Sequence, residues 1–572
     1  MKVQIISIFC ILLIFNTGSS IIINGDAFEL SQNEIIFVNT EKSNDTLEPS
    51  DGFTLFAPEF SLHSYLIDIE GSIVHSWSSK YIQALAVYLM ENGNLIRSCF
   101  PGSIHRFKAG GITGRIEMYN WDGDLVWEFD YSNNDHCLHH DVEVLPNGNI
   151  LMIAWEYKSL DESILAGRNP NQIPSGELWP DHIIEVEPIG TSGGNIIWEW
   201  HIWDHLIQEY DSSKNNYGIV AEHPELLDIN FGVKHADWNH INSIDYNEAL
   251  DQIILSSHNQ NEIWVIDHNT STEEAAGHTG GKYGKGGDIL YRWGNPQTYD
   301  AGGPQDQILF GQHDAQWIEL GHPGEGNIIV FNNGQGRPDG HYSSIDEITP
   351  PLNNNGTYTK NHGEAFKPDS LTWRYIADIP SDFFASHISG TQRLPNGNTL
   401  ICHGEHGYFF EVTPDNEIVW EYYNDDPPMV SKNVFKIRRY DPNYPGLANL
   451  FDNHAPQTPS TPNGISSGET GTEYTFTSST IDPDENDVFY QFNWGDGTTS
   501  EWIGPISSGQ VIEITHAWDN KGDYEIRVKA RDIFNAESSW SDPLSISMPK
   551  TYIHWKFQQI QVFIEQFLFN FI

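Results

Sequence analysis

Histidine recurs at one position of a repeated hairpin, and this recurrence is the clearest chemical signal in the chain. Four short polar motifs open strand-like runs: HHD at 139–141, NHIN at 239–242, QHD at 312–314 and SHIS at 386–389. Imidazole titrates near neutral pH, so it can act as base, acid or nucleophile, and it is also a metal ligand. The motifs therefore predict a histidine-based site, provided that the fold brings the four strand openings together.

The elements that must position these motifs are two kinds of hairpin. The first kind starts at a polar cluster and turns at Asn-Gly or an equivalent, as in LPNGN at 145–149 and 394–398. Its copies are 84–99, 139–155, 240–257, 313–331 and 389–403, and the second kind, which ends near Trp or Tyr, occurs at 65–77, 115–129, 182–200, 263–293, 344–375 and 409–423. Pairing the lone strands 52–57 and 434–440 supplies a sixth hairpin of the first kind. The pattern predicts an all-β, six-bladed β-propeller closed by both ends of the chain.

The propeller places the four histidine motifs at one mouth of its central channel. In such a fold the innermost strand of each blade lines the channel, and the first strand of the first hairpin is the best candidate for that place. Antiparallel pairing returns the second strand to the same mouth, so His258, Asn332 and Asn333, and 403–406 should join the site. We expect imidazoles from four consecutive blades to converge there.

The remaining segments suggest a secreted protein of several parts. Residues 1–20 are typical of a signal peptide, 50–447 cover the propeller, and 448–462 form a Pro-rich linker. A second domain follows at 463–548, and an apolar tail at 549–572 is suited to peripheral contact with a membrane or cell surface. After removal of the signal peptide three cysteines remain, and an oxidising compartment favours a disulfide between Cys99 and Cys137.

The charge balance excludes nucleic acid as a partner. Lys and Arg number 29 and Asp and Glu 79, which gives a formal charge of −50. A phosphate backbone requires basic side chains to replace its counterions, and these are scarce here. The acidic surface is typical of a solvated extracellular protein.

Two family resemblances refine this interpretation. The second domain carries FNWGDG at 492–497, THAW at 515–518 and GDYEIRVKARD at 522–532, and it resembles a polycystic-kidney-disease (PKD) domain, a small immunoglobulin-like β-sandwich. The propeller region resembles the arylsulfotransferase (ASST) family through HHDVEVLPNGN at 139–149, DWNHINSI at 237–244, LSSHNQNEIWVID at 255–267, GQHD at 311–314 and SGTQRLPNGNTL at 389–400. The second resemblance implies sulfuryl transfer from an aryl sulfate donor to a phenolic acceptor through a sulfohistidine. It also implies that neither PAPS nor another cofactor is needed.

The arylsulfotransferase resemblance assigns roles to particular residues. His313 corresponds to the histidine nucleophile, and His140 and His240 to flanking histidines that bind sulfate or move protons. Asn242 corresponds to a donor to a sulfuryl oxygen. Where the family motif has Arg after Ser-Ser, this chain has His258, which carries a charge only when protonated.

Three further residues complete the predicted site. We expect Asp314 to hold the His313 ring in one tautomer, as a carboxylate does for a catalytic imidazole. His139 and His387 belong to the same motifs and should help to bind the substrate. No metal is assigned, because short metal-ligand spacings do not accompany the histidines.

Two other functions fit the same residues. The propeller can be a non-catalytic surface module that binds glycans or proteins, with the PKD domain as a spacer. The ring of histidines can also hold a transition metal in a metal-dependent enzyme. Turnover of an aryl sulfate separates the first possibility from a transferase, and metal analysis separates the second.

Overall fold

The computed structural model describes residues 22–23, 26–27, 29–31, 34–36, 48–102, 106–425 and 431–548. The predicted signal peptide and the predicted apolar tail lie outside these residues. Residues 1–48 form a unit separate from 49–572, with two hairpins built from Ile22–Ile23 with Asp26–Ala27 and Glu29–Ser31 with Glu34–Ile36. No helix in the described part is long and apolar enough to span a membrane.

The region from Phe53 to Tyr440 is all-β and consists of six four-stranded antiparallel sheets. Sheet 1 contains Arg438–Tyr440, Phe53–Phe56, His63–Ile67 and Ile73–Ser78, and sheet 2 contains Ile82–Leu89, Leu95–Phe100, Arg115–Tyr119 and Leu125–Asp130. Sheet 3 contains His136–Val144, Ile150–Glu156, Asp181–Pro188 and Gly194–His201, and sheet 4 contains Ile241–Asn247, Gln252–Ser257, Glu262–Asp267 and Tyr291–Trp293. Sheet 5 contains His313–Trp317, Ile328–Asn332, Ser344–Ile348 and Trp373–Tyr375, and sheet 6 contains Gly390–Arg393, Thr399–His403, Tyr408–Val412 and Ile418–Tyr423.

The predicted hairpins of both kinds are confirmed by the strand pairing. The lone strands at the two ends also pair as expected: Arg438–Tyr440 runs antiparallel to Phe53–Phe56. Turn chemistry fixes the hairpins locally. In LPNGN the Leu145 amide donates to the Asn149 carbonyl, and Gly148 adopts a φ of 85°, which a residue with a Cβ reaches only at a cost.

Successive sheets are joined by buried apolar clusters. Each of six clusters contains side chains from two sheets: 1 with 2, 2 with 3, 3 with 4, 4 with 5, 5 with 6, and 6 with 1. In the last of these, Phe409 of sheet 6 packs edge-on against Phe56 of sheet 1, with ring centroids 5.2 Å apart. Burial of apolar surface therefore links the sheets in the order of the chain and links the last sheet to the first.

Tryptophans make a second set of contacts in the same order. Six outer-strand indoles donate to the following sheet: Trp77 to Asn120 O at 3.0 Å, Trp127 to Gly193 O at 2.8 Å, Trp198 to Thr270 Oγ1 at 3.0 Å, Trp293 to Pro368 O at 3.0 Å, Trp373 to Pro414 O at 2.9 Å and Trp420 to Ile69 O at 2.7 Å. The indole is suited to this position because its body is apolar while its N–H seeks an acceptor. The recurrent tryptophan of the second kind of hairpin thus links each sheet to the next by a hydrogen bond.

Short elements fill the connections and a second core follows. The α-helices are Leu160–Leu165 and Thr272–Ala275, and the 3₁₀ turns are Pro170–Gln172, Ile202–Asp204, Val220–Glu222, His258–Gln260, Pro296–Tyr299, Pro304–Asp306, Pro380–Asp382, Gly404–His406 and Pro445–Phe451. Two-stranded sheets pair Lys158–Ser159 with Glu177–Leu178 and Leu206–Ile207 with Leu227–Asp228. At the C-terminal side, Tyr474–Ser479 pairs with Val511–His516, and Ile503–Ile506, Val488–Asn493, Gly522–Asp532 and Leu544–Met548 form a second sheet around one shared core.

The predicted disulfide between Cys99 and Cys137 is wrong. Both thiols are free and buried, as is that of Cys402. The Cys99 thiol donates to Glu117 at 3.1 Å, and the Cys137 thiol donates to the Leu138 carbonyl at 3.3 Å. Each thiol is therefore satisfied within its own sheet, and burial raises the pKa of both, so that the reactive thiolate is disfavoured.

Candidate functional site

The openings of the inner strands are bent by a recurrent bulge. The pairing of the first strand with the second shifts register between Leu138 and Val142 in sheet 3 and between Ile241 and Ser243 in sheet 4. The same strands place His140 and His240 at positive φ, 54° and 55°. A bulge re-aims side chains and often borders a functional site. Here it occurs where the histidine motifs lie.

Four imidazole rings lie in a row, hereafter the His row: His140, His240, His258 and His313. Neighbouring ring centroids are 4.5 Å apart for the first pair, 5.3 Å for the second and 5.4 Å for the third. The members come from sheets 3, 4 and 5, with His258 following the second strand of sheet 4. The predicted convergence therefore holds for the motifs of sheets 3, 4 and 5, which His258 joins, whereas His387 of the fourth motif is not a member of the row.

Close backbone packing fixes the first ring of the row. Gly111 accepts a hydrogen bond from the His140 amide at 2.8 Å through its carbonyl. A Cβ at Gly111 would lie 1.9 Å from the His140 ring, and Gly111 has a φ of 80°. Only glycine allows this approach.

His313 is held in one tautomer by an asparagine. Its Nδ1 lies 2.8 Å from Asn333 Oδ1 and 3.2 Å from the Gly311 carbonyl, and both oxygens can only accept. The Asn333 amide cannot be reversed, because its Nδ2 donates to the carbonyls of Ala385 and Ile388, both at 3.0 Å. Nδ1 therefore carries the proton, and Nε2 presents a lone pair that accepts from the Ile388 amide at 3.2 Å.

His240 is the member of the row whose pKa is raised. Burial alone would lower the pKa of His240, but the Asp237 carboxylate, 2.5 Å from Nδ1, more than offsets this and raises it. Asp237 is oriented in turn by the Trp155 indole, which donates to its other oxygen at 2.9 Å. The site thus contains one imidazole whose charged form is favoured by a neighbouring carboxylate.

The other three members of the row are neutral near pH 7. Burial, reinforced by the positive charge on His240, lowers the pKa of His258 to about 4. Burial and the neighbouring imidazoles lower the pKa of His140 and of His313 well below the usual value. Neighbouring imidazolium rings repel one another unless an anion lies between them. The rings of the His row are therefore expected to take up protons when an anion binds.

His139 contacts His140, the first ring of the His row. It is buried, stacks on Trp155 with centroids 4.0 Å apart, and its Nδ1 lies 2.8 Å from His140 Nδ1. Its Nε2 lies 3.1 Å from a carboxylate oxygen of Asp181. His139 is therefore placed to position His140, and its contact with substrate stays a prediction.

Asp314 does not orient His313, contrary to prediction. Its carboxylate accepts from Lys436 at 3.1 Å, Arg438 at 3.0 Å and the Thr391 amide at 2.8 Å. Lys436 also bonds Asp141 at 2.6 Å, so two cations and two carboxylates form a buried ionic layer beside the row. These charges hold the pKa of Asp314 well below its usual value, although burial opposes them.

The two remaining predicted residues lie at the margins of the site. Asn242 is buried, and its Nδ2 donates to the Gln312 carbonyl at 2.7 Å, so it positions the backbone beside His313. The structure thus shows a supporting contact for Asn242, and its predicted contact with a sulfuryl oxygen stays a prediction. The His387 side chain is 52% exposed and pairs with Glu405 at 2.8 Å.

Sequence reasoning missed several residues that shape the site. Asp237 and Lys436 were passed over, although both stand within segments singled out for other reasons. Asn333 was placed at the mouth without a role. A signal for Asp237 was available, because DWNH places a carboxylate three residues before His240. Lys436 and Asn333 act across sheets, and no spacing along the chain indicates those contacts.

A cavity lies at the opposite end of the first strands of the sheets, near the turns that join first and second strands. It has a volume of about 670 Å³ and is lined by turn residues such as Pro146 and Pro395, together with Glu143, Asp245 and Arg438. The ionic layer of Asp314 and Arg438 contributes to its wall. None of the four rings of the His row lines this cavity, so the two are distinct.

Comparison with known proteins agrees with this architecture. Residues 29–444 match the arylsulfotransferase (ASST) family model, which is more than half of the chain. The chain therefore belongs to the arylsulfotransferase family. Residues 460–542 match the PKD domain model, so a PKD domain follows. A comparison with curated proteins gave no match.

Two solved structures show limited similarity. The PKD domain of an M14-like peptidase from Thermoplasmatales archaeon SCGC AB-540-F20 is 46% identical, over 17% of this chain and 99% of that chain, with a TM-score of 0.16. The BSP domain of a biofilm associated protein is 7% identical, over 89% of each chain, with a TM-score of 0.13. At these TM-scores neither likeness supports a conclusion about the fold.

Proposed function

We propose that this protein is an aryl-sulfate sulfotransferase that moves a sulfuryl group from a phenolic sulfate ester to a phenol through a sulfohistidine at His313. The observation that carries the proposal is the His row in a chain of the arylsulfotransferase family. His240, whose charged form is favoured, belongs to the same row as His313, with His258 between them, and Asn333 fixes the Nε2 lone pair of His313. This arrangement supplies an anion-binding charge and a nucleophile within one cluster.

In the first half-reaction the His313 Nε2 attacks the sulfur of the donor. A nitrogen–sulfur bond forms, the bond from sulfur to the phenolic oxygen breaks, and the electron pair leaves with the oxygen. His240 provides positive charge beside the sulfuryl oxygens, and the row supplies a proton to the phenolate. His258 becomes protonated on donor binding, because a neighbouring anion favours the charged imidazole.

In the second half-reaction a phenol replaces the departed one. A neutral imidazole of the row, His140 or His258, removes the phenolic proton, and the oxygen attacks sulfur. The nitrogen–sulfur bond breaks and returns its electron pair to His313. Covalent catalysis thereby divides one difficult transfer into two steps, and it requires ping-pong kinetics. No external cofactor enters either step.

We propose a six-bladed propeller as the framework for this chemistry. The support is the cyclic order of the contacts: six apolar clusters and six tryptophan hydrogen bonds link each sheet to the next, and sheet 6 to sheet 1. In this arrangement the inner strands surround one axis. The His row then occupies one mouth, and the cavity of about 670 Å³ occupies the other.

We also propose that the protein acts outside the cell. The supporting features are the N-terminal sequence at 1–20, the formal charge of −50 and the presence of a PKD domain. The donor and acceptor are then small phenolic compounds of the surroundings. The tail at 549–572 provides contact with a membrane or the cell surface. Fractionation of the producing cells, with detection of the mature N-terminus, tests this location.

The test of the activity is turnover of a chromogenic aryl sulfate with and without a phenol acceptor. We expect release of the chromophore to depend on acceptor, and His313→Asn to abolish it without changing the circular dichroism spectrum. His322→Asn is the matched control, because His322 lies beside the far cavity. Full activity of His313→Asn would refute the assignment of the nucleophile.

A second candidate function, a non-catalytic propeller that binds glycans or proteins, is favoured by one observation. His258 stands where the family motif has Arg, and the pKa of His258 is about 4, so it offers no fixed charge to an anion. If wild type and His258→Arg are both inert with every phenol tried, binding becomes the better explanation.

A further inference from the structure

A second histidine cluster lies outside the His row, at a glycine-rich segment between two strands of sheet 4. Residues 276–288 connect Glu262–Asp267 to Tyr291–Trp293, and they carry His278 and Asp288. His205 approaches from the 3₁₀ turn that follows sheet 3. Its Nδ1 lies 2.8 Å from Asp288 Oδ1, and His278 Nδ1 lies 2.7 Å from the same oxygen.

The tautomer of His205 directs an unprotonated ring nitrogen at a carboxylate oxygen of Asp288, so that two hydrogen-bond acceptors face each other. Its Nε2 lies 2.8 Å from the Ala275 carbonyl, which cannot donate, so Nε2 carries a proton. In the neutral ring Nδ1 is then a bare lone pair, and it points at a carboxylate oxygen. Both His205 and Asp288 are buried, and a buried contact between two hydrogen-bond acceptors is unfavourable. A positive species must lie between them, either a second proton or a metal ion.

We propose that this cluster binds Zn²⁺ through His205 Nδ1, His278 and Asp288. Two imidazoles and one carboxylate are a ligand set that zinc favours, with a fourth position left for water. The three ligand atoms lie within 4.8 Å of one another. Tetrahedral zinc with bonds of about 2.0–2.1 Å needs ligand atoms about 3.3 Å apart, so the present contacts must open by about half an ångström. The His278 side chain is 58% exposed and is free to make that adjustment.

The surroundings have the form of a metal-site outer shell. Metal-bound histidines usually donate their other ring N–H to a carboxylate or a backbone carbonyl, as His205 does to Ala275. Trp200 stacks on the His205 ring with centroids 5.6 Å apart, and its indole donates to the Gly287 carbonyl at 2.7 Å. A Cβ at Gly287 would lie 2.0 Å from the Ala275 carbonyl oxygen, so the backbone packs directly against the cluster.

Zinc at this place would fasten the glycine-rich segment of sheet 4 to the end of sheet 3. The segment is rich in glycine, whose conformational freedom opposes order, and Lys282 and Tyr283 are the side chains that bond it to the Leu250 carbonyl. The site is therefore structural, and its loss should affect stability before it affects any chemistry at the His row. It is independent of the proposed sulfuryl transfer.

The experiment measures zinc in the full-length protein after EDTA treatment, reloading with Zn²⁺ and desalting. We expect wild type to retain at least one zinc per chain and His278→Asn to retain one fewer, with binding weakened more than tenfold. His278→Cys should restore it, since thiolate is also a zinc ligand. His516→Asn is the control, because His516 pairs with Asp496 in the PKD domain without a third ligand.

Thermal unfolding of the same proteins provides the second readout. Zinc should raise the melting temperature of wild type, His278→Cys and His516→Asn, and leave that of His278→Asn unchanged. Equal zinc content in wild type and His278→Asn would place any metal elsewhere, for example at the His row, and would overturn the proposal. Absence of zinc from wild type would overturn it as well, in favour of a proton shared by the cluster.

Discussion

Substitution of Asn333 separates the tautomer of His313 from the stability of the fold. Asn333→Ala removes the acceptor at 2.8 Å from Nδ1, and it also removes the donors to the Ala385 and Ile388 carbonyls. A neutral hydrogen bond contributes about 0.5–1.5 kcal/mol net, so kcat/KM should fall about twofold to tenfold. Each buried carbonyl left without a donor costs about 1–3 kcal/mol of stability.

Asn333→Asp separates the effect on the tautomer of His313 from the effect on the stability of the fold. The carboxylate still accepts from Nδ1, so activity per folded molecule should be retained, while both carbonyls lose their donors and the melting temperature falls. The added negative charge favours the imidazolium and raises the pKa of His313. The acidic limb of the kcat/KM profile should therefore move to higher pH, which a purely structural role would not cause.

The matched control is Asn332→Ala, on the same strand. Asn332 is buried and bonds the Ile308 carbonyl, Asp346 and the Phe310 amide, but it makes no contact with His313. Its loss should lower stability and leave kcat/KM of the folded protein unchanged. The reasoning is refuted if Asn333→Ala keeps full kcat/KM after correction for the folded fraction, or if Asn332→Ala loses as much.

Three further predictions concern charge, closure and domain independence. Donor affinity should fall as pH rises above about 4, the pKa of His258 in the free protein, because donor binding takes up a proton at His258. His258→Arg should tighten binding and make it less dependent on pH. An affinity profile that is the same in both proteins by isothermal titration would contradict this prediction. A chain beginning at Asp68 lacks two strands of sheet 1 and exposes an unpaired edge, so it should be insoluble or unstable in denaturant titration; a well-folded product would argue against closure. Deletion of 456–572 should leave turnover intact, since the PKD core shares no residue with the His row, and a large loss in a folded truncation would show that the sandwich completes the site.

Periodicity was sufficient to predict most of the fold. Turn residues and the alternation of apolar residues mark the hairpins of the six sheets, because the backbone requirements of an Asn-Gly turn are local. Even the pairing of 53–56 with 438–440 follows from counting hairpins, since one strand at each end lacked a partner. The domain limits at 447, 462 and 548 stay predictions.

The site could be predicted only in part. The convergence of His140, His240 and His313 follows from their shared place in the repeat. The partners do not follow, because each is chosen by packing across sheets. Asp314 was expected to orient His313, yet nearby Lys436 and Arg438 attract its carboxylate more strongly than a neutral imidazole could.

The proposed covalent intermediate is the claim on which the mechanism depends, and it can be measured directly. Wild type is mixed with an aryl sulfate in the absence of acceptor, quenched at alkaline pH and digested for mass spectrometry. We predict that the peptide containing His313 gains the mass of one sulfuryl group, in equal amount to the first burst of phenol, and loses it when a phenol is added. Phenol release without a modified peptide, or modification at another histidine, would contradict the account.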